Sequence, residues 1–149
     1  LSEGLDIRVV WIGPGDPQLP SYQTSGAAGM DLLAAQTEAL TIQPGQRLLI
    51  PTGIKMELPQ GFEAQIRPRS GLAYKHGLTV LNAPGTIDSD YRGEVKVLIA
   101  HLGDEPYTIQ PFERIAQMVI APVVRAYWKL SETLDDSERG QGGFGSTGS

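Results

Sequence analysis

Apolar and polar residues alternate strictly through Ile54-Lys55-Met56-Glu57-Leu58, the period of a half-buried strand rather than a helix. Similar short runs recur along the chain. Ile7 to Trp11, Asp31 to Ala35, Leu40 to Ile42, Gln46 to Ile50, Phe62 to Ile66 and Leu78 to Leu81 all read as strands, as do Glu94 to Ala100, Tyr107 to Ile109 and Ile115 to Ile120. Turn signals separate them: Pro44-Gly45, Pro59-Gln60-Gly61, Gly103-Asp104-Glu105-Pro106 and Gln110-Pro111. Pro44-Gly45 is expected to join Leu40–Ile42 and Gln46–Ile50 as a hairpin-like pair. A second tight hairpin is expected between Leu81 and Asp88, centred on Pro84-Gly85. One segment reads as a helix, from the capping Ser70 to the basic pair Lys75-His76 before Gly77. Many short strands with frequent turns predict an all-β sandwich or jelly roll.

Gly and Pro together make 29 of the 149 residues, which suits that turn-rich architecture, and the length fits one domain with a real core. From about Tyr127 the chain turns polar and acidic, then Gly-rich. The expected organisation is a β-domain over 1–126 and a C-terminal arm over 127–149 that docks on a neighbouring subunit. There is no cysteine, which excludes disulfides and thiolate metal sites and fits a reducing compartment. The net charge of −5 argues against non-specific duplex binding, and no apolar run is long enough to span a bilayer. No nucleic-acid or membrane partner is expected. A small phosphorylated ligand remains open if the arginines converge, and a divalent cation then becomes plausible as a neutraliser.

Six groups of residues carry candidate chemistry. Arg67-Pro68-Arg69-Ser70-Gly71 sits where a strand yields to the short helix; free N–H groups, a hydroxyl and a forked cation there suit an anion. Asn82, in the turn before Gly85-Thr86-Ile87, offers a donor and an acceptor beside backbone groups that can mimic a base-pairing edge. Asp88 and Asp90 share one face if extended; either could act as a general base or as a metal ligand, with Tyr91 beneath a sugar and Arg92 on a carboxylate. Asp31 follows the small residues Gly26-Ala27-Ala28-Gly29 and needs a partner if buried, for which Arg69 is a candidate. Gln117 places an amide inside an apolar run, while Arg114 reads as a surface residue at the strand start. The terminal segment from Arg139 supplies an Arg fork, the ring of Phe144 and the hydroxyls of Ser146 and Thr147, yet lacks the Lys of a P-loop. His76 and His101 are too few and too distant for a histidine metal site.

Taken in order, Ala28 to Leu32, Arg67 to Ala73, Asn82 to Gly93, Arg114 to Gln117 and Arg139 to Gly148 resemble the five motifs of the trimeric deoxyuridine triphosphatase (dUTPase) family. The resemblance spans nearly the whole chain. It implies a β-clip jelly roll with one short helix and a flexible C-terminal arm, assembled as a homotrimer whose sites are shared between subunits. It implies hydrolysis of dUTP to dUMP and pyrophosphate by in-line attack of water on the α-phosphate. That reaction limits uracil incorporation into DNA and supplies dUMP for dTMP synthesis, in the cytoplasm. By the same resemblance Asp88 is the base, and Arg69, Ser70, Gly71 and Gln117 hold phosphate. Asn82, Gly85, Thr86 and Ile87 read uracil, Tyr91 excludes a ribose, and Arg139, Phe144, Gly145, Ser146 and Thr147 close as a lid. Asp31 stands behind them, and Mg²⁺ is held by substrate phosphates and water rather than by the protein. The rival readings are a dCTP deaminase on the same fold and a nucleotide-responsive regulator.

Overall fold

A computed structural model describes residues 4–145 and 148. The strands are β1 (Arg8–Trp11), β2 (Met30–Leu33), β3 (Leu40–Ile42), β4 (Arg47–Glu57) and β5 (Phe62–Pro68). The helix α1 (Ser70–His76) follows, then β6 (Leu78–Val80), β7 (Gly85–Ile87), β8 (Glu94–His101), β9 (Tyr107–Ile109) and β10 (Arg114–Pro122). Two four-stranded sheets form, ordered β1-β4-β8-β6 and β2-β10-β5-β7, and β3 and β9 pair as a ribbon. Every pairing is antiparallel.

Alternation decides which side chains enter the core. Ile50, Ile54 and Met56 of β4 and Val95, Val97 and Ile99 of β8 point inward from the first sheet; Ala64, Ile66, Ile115 and Met118 answer from the second. The all-β, jelly-roll-like sandwich with one short helix is the architecture found.

Three local expectations are overturned. Gln46–Ile50 and Ile54–Leu58 are not separate strands but parts of β4, whose register against β8 shifts between Pro51 and Lys55. Gly53 supplies the irregularity with a φ of 77°, and a side chain there would collide with the Trp11 ring. Leu40–Ile42 does not pair across Pro44-Gly45; its partner is β9, with Leu40 opposite Ile109. Nor is 81–88 a hairpin: β6 pairs with β8 in one sheet and β7 with β5 in the other, so the Pro84-Gly85 turn crosses the sandwich. Apolar runs mark strands, but only long-range packing chooses their partners.

Strand β10 ends at Pro122, and Val123 N–H donates to the Gly61 carbonyl at 2.8 Å. From there to 145 the described chain has no helix or strand, and Tyr127, Trp128, Leu130 and Leu134 lie exposed.

Candidate functional site

The β2–β10–β5 ladder builds the first half of the site. Asp31 stands opposite Gln117, and Gln117 stands opposite Arg67, so three neighbouring strands present polar side chains in one row. Asp31 is only 5% exposed. Its carboxylate lies 3.8 Å from Arg69 Nε on one oxygen and 3.8 Å from Arg114 Nε on the other. Two guanidiniums make its burial tolerable. The Asp31–Arg69 pairing follows the sequence expectation. Arg114 does start its strand at the surface, but the bulge between Arg114 and Ala116 also turns it toward Asp31, a role the sequence reading missed. Gln117 is half-buried and packs over Gly29, where an added Cβ would press on it at 3.3 Å.

Helix α1 opens from this row. Arg69, not Ser70, is its N-cap, and no side chain caps the helix; Ser70 is the first helical residue. The first turn carries no acidic residue, and Ser70 and Gly71 are exposed. Unpaired N–H groups with a partial positive charge therefore face solvent beside Arg69. Arg69 Nη1 also donates to the Arg114 carbonyl at 3.0 Å, which ties the helix start to β10.

The second half lies around β7. Gly85 stands opposite Ile66 in a tight place, where an added Cβ would press on the Asn82 amide nitrogen at 3.1 Å. Thr86 is exposed and Ile87 is buried. Asp88 begins a turn in which Tyr91 N–H donates to the Asp88 carbonyl at 3.2 Å. The segment is thus not extended, and the expectation that Asp88 and Asp90 share a strand face does not apply. Tyr91 donates its hydroxyl to the Glu94 carbonyl at 2.8 Å, and Arg92 meets Glu57 at 3.3 Å, the carboxylate pairing expected of it. Asp88 opens on a cavity of about 1230 Å³ lined also by Glu57, Asp90, Arg92, Arg125 and Tyr127.

The two halves do not meet within one chain. Ile87 pairs with Ala64, so Asp88 falls at the Glu63 end of β5, whereas Arg69 follows its other end. Six extended residues separate those positions, about 20 Å at the usual strand rise. Arg139 and Phe144 also stand apart: Arg139 Nε donates to the nearby Gly142 carbonyl at 2.8 Å, and Phe144 is fully exposed with a φ of 51°. Gly145 is exposed as well. Ser146 and Thr147 lie outside the described residues.

Sequence reasoning also passed over a cluster behind the helix. Tyr107 donates its hydroxyl to Glu113 Oε1 at 3.0 Å, and its ring tilts against His76 with centroids 4.7 Å apart. Burial, then the hydrogen bond and charge of Glu113, push the Tyr107 phenol up to about 12, against a smaller opposing pull from Arg69. The only advance signal was an aromatic residue six positions before a carboxylate, too weak to single out.

Among the described residues no group of three or more His, Asp or Glu could hold a metal ion. The Asp31 carboxylate is occupied by two arginines, and the row offers guanidinium, hydroxyl, amide and N–H groups. That donor set suits phosphate oxygens, not a bare cation. No helix of the described chain is long and apolar enough to cross a membrane.

Residues 16–148 match the family model described as dUTPase. The deoxyuridine 5'-triphosphate nucleotidohydrolase of Rhizobium leguminosarum bv. trifolii is 63% identical over 132 residues, covering 87% of this chain and 85% of that protein. The protein of the same name from Roseobacter denitrificans is 53% identical over 147 residues, covering 97% of each. Among solved structures, the dUTPase of Staphylococcus bacteriophage 80alpha with dUPNHPP superposes with a TM-score of 0.87 at 25% identity, covering 97% of this chain and 99% of that one. A variant dUTPase from phage phi11 of S. aureus shares the fold at a TM-score of 0.78 and 20% identity, over 88% of this chain and 99% of that one, and is described as coordinating a structural Mg(II) ion.

Proposed function

The chain belongs to the dUTPase family, and from that premise we propose how its own residues carry out the family reaction. That reaction is hydrolysis of dUTP to dUMP and pyrophosphate. The observation that carries the proposal is the β5–β7 register, which sets Asp88 and Arg69 at opposite ends of β5, about 20 Å apart at the usual strand rise. A base and a phosphate ligand that far apart cannot serve one phosphorus atom. Two copies placed side by side bring the Asp88 half of one against the Arg69 half of the next. We therefore read the enzyme as a cyclic homotrimer in which each site is assembled from different chains.

In that arrangement Arg69, Ser70, the Gly71 N–H and Gln117 grip the triphosphate. Asp31 keeps the two arginines in place through its ion pairs. Asn82 and the backbone of Gly85, Thr86 and Ile87 read the uracil edge; cytosine presents the opposite donor pattern. Tyr91 sits beneath the sugar and leaves no space for a 2′-hydroxyl. Asp88 orients a water in line with the α-phosphorus and takes its proton. The arm, over 127–149 beyond a domain of 1–126, crosses to a neighbour, where Phe144 stacks on the base and Arg139, Gly145, Ser146 and Thr147 cover the γ end. Its exposed Tyr127, Trp128 and Leu130 suit contact with another subunit. Arg69, Ser70 and Gln117 would receive the triphosphate with its Mg²⁺, which substrate phosphates and water rather than protein side chains would hold, and the ion would supply positive charge against the repulsion met by the nucleophile. Cytoplasmic placement belongs to the same reading.

Pyrophosphate release from dUTP, measured beside dCTP, dTTP and UTP with and without Mg²⁺, tests it. Release confined to dUTP and strengthened by Mg²⁺ is expected. Ammonia from dCTP would instead indicate a deaminase, and tight dUTP binding without turnover a regulator.

A further inference from the structure

Helix α1 is too short to hold itself. It has seven residues, none of them fully buried, and isolated helices of that length are unstable in water. Yet its N-terminus must stay fixed if Ser70 and Gly71 are to meet a phosphate with useful geometry. Leu72 packs the helix against the core, and a second restraint, on its two ends, comes from β9 and the turn into β10. At the far end of α1, His76 lies against the Tyr107 ring at 4.7 Å. The Tyr107 hydroxyl donates to Glu113 at 3.0 Å, and the next residue, Arg114, accepts from Arg69 Nη1 at 3.0 Å through its carbonyl. The contacts run from one end of the helix through Tyr107, Glu113 and Arg114 to the other.

The turn that carries Glu113 is itself closely specified. Phe112 adopts a φ of 60°, uncommon for an aromatic residue, and this conformation is held from two sides. Its N–H donates to the Ala34 carbonyl at 2.6 Å, and its ring stacks on Trp11 with centroids 6.5 Å apart. Glu113 N–H donates to the Gln110 carbonyl at 3.1 Å. The Glu113 carboxylate is spent on the brace: Oε1 accepts from Tyr107, and Oε2 is buried with no protein partner among the described residues.

We propose that Tyr107 and Glu113 are positioning residues for the triphosphate site, a brace that fixes α1 and so aims Arg69, Ser70 and Gly71. The inference deepens the function proposed above and rests on it. Neither residue touches substrate; both act through the helix. Loss of the brace therefore weakens the use of phosphate and leaves recognition of the base and sugar alone, since Asn82 and β7 lie outside this chain of contacts.

The test is Tyr107→Phe, which keeps the ring on His76 and removes the hydroxyl. The expected result is a fall of about tenfold in kcat/KM for dUTP, with 2′-deoxyuridine affinity by NMR titration within about twofold of wild type. Equal weakening of deoxyuridine and dUTP, or unchanged dUTP kinetics, overturns the brace. Because Tyr107→Phe leaves the half-buried Glu113 carboxylate without a donor, the double variant Tyr107→Phe, Glu113→Leu removes that burden. Continued loss of dUTP turnover in the double variant supports the brace; full recovery assigns the first loss to the orphaned carboxylate and overturns it. The wild-type enzyme in the same assay separates two failures. No pyrophosphate from dUTP there defeats the underlying function, whereas a competent wild type with an unaffected Tyr107→Phe defeats the brace alone.

Discussion

Arg114 Nε faces Asp31 Oδ2 at 3.8 Å across the β2–β10 ladder. Arg69 holds the other oxygen at the same distance, so one buried carboxylate orders two cations. These separations are ion-pair contacts without a direct hydrogen bond, and the arginine side chains are 32% and 50% exposed, which screens them. Asp31→Asn keeps the shape and removes the charge. It is expected to cost about 1–2 kcal/mol, less than breaking a fully sequestered pair. It should also lower kcat/KM for dUTP, because the freed arginines repel each other. Urea unfolding beside steady-state kinetics checks both effects; an unchanged unfolding midpoint contradicts the pairing.

Tyr107 makes stability sensitive to alkali. Its phenol titrates near 10.0 when unfolded and is raised to about 12 in the folded chain, chiefly by burial and then by Glu113. The folded state thus holds this proton more tightly, and its contribution is complete below pH 10.0. It declines as pH rises through the window up to about 12. The difference in unfolding midpoint between wild type and Tyr107→Phe should therefore be constant at neutral pH and shrink across that window. A difference that grows with pH has the opposite sign and contradicts the assignment.

Removal of residues from Arg139 onward should leave the sandwich intact, since among the described residues no hydrogen bond ties Arg139 or Phe144 to it. The truncated protein is expected to keep its circular dichroism and the trimeric mass proposed above, and to lose roughly 100-fold in kcat as the site stays open to water. Loss of folded protein on truncation contradicts a lid and makes the segment structural.

Local pattern carried the strands further than it carried their partners. Glu94–Ala100 and Tyr107–Ile109 were legible because alternation and flanking turns mark them. That Leu40 pairs with Ile109 rather than across Pro44-Gly45 was not, because a tight turn and a distant partner offer the same apolar strand equal local terms. The strands read over Gln46–Ile50 and Ile54–Leu58 belong to one, β4, with Gly53 a bulge inside it and Trp11 packed over that glycine. In the site, Asp31 announced its need for a cation by being a carboxylate among small residues, and Arg69 answered. Arg114 did not stand out, because a bulge at the next residue determines where it points. Tyr107, Glu113 and His76 are polar groups joined only by tertiary packing, which no spacing in the chain encodes.

The proposed sharing of sites between chains is tested most directly by mixing two variants that are each inactive alone. Asp88→Asn lacks the base and Arg69→Ala lacks a phosphate ligand. Homotrimers of either should release pyrophosphate from dUTP orders of magnitude more slowly than wild type. Co-refolded at equal amounts, random trimers place an intact Asp88 beside an intact Arg69 in about a quarter of sites, if those groups come from different chains. Recovery of about a quarter of wild-type turnover is the predicted result. A mixture as inactive as its components, in trimers shown by native mass spectrometry to contain both chains, means that each chain builds its site alone and contradicts the account.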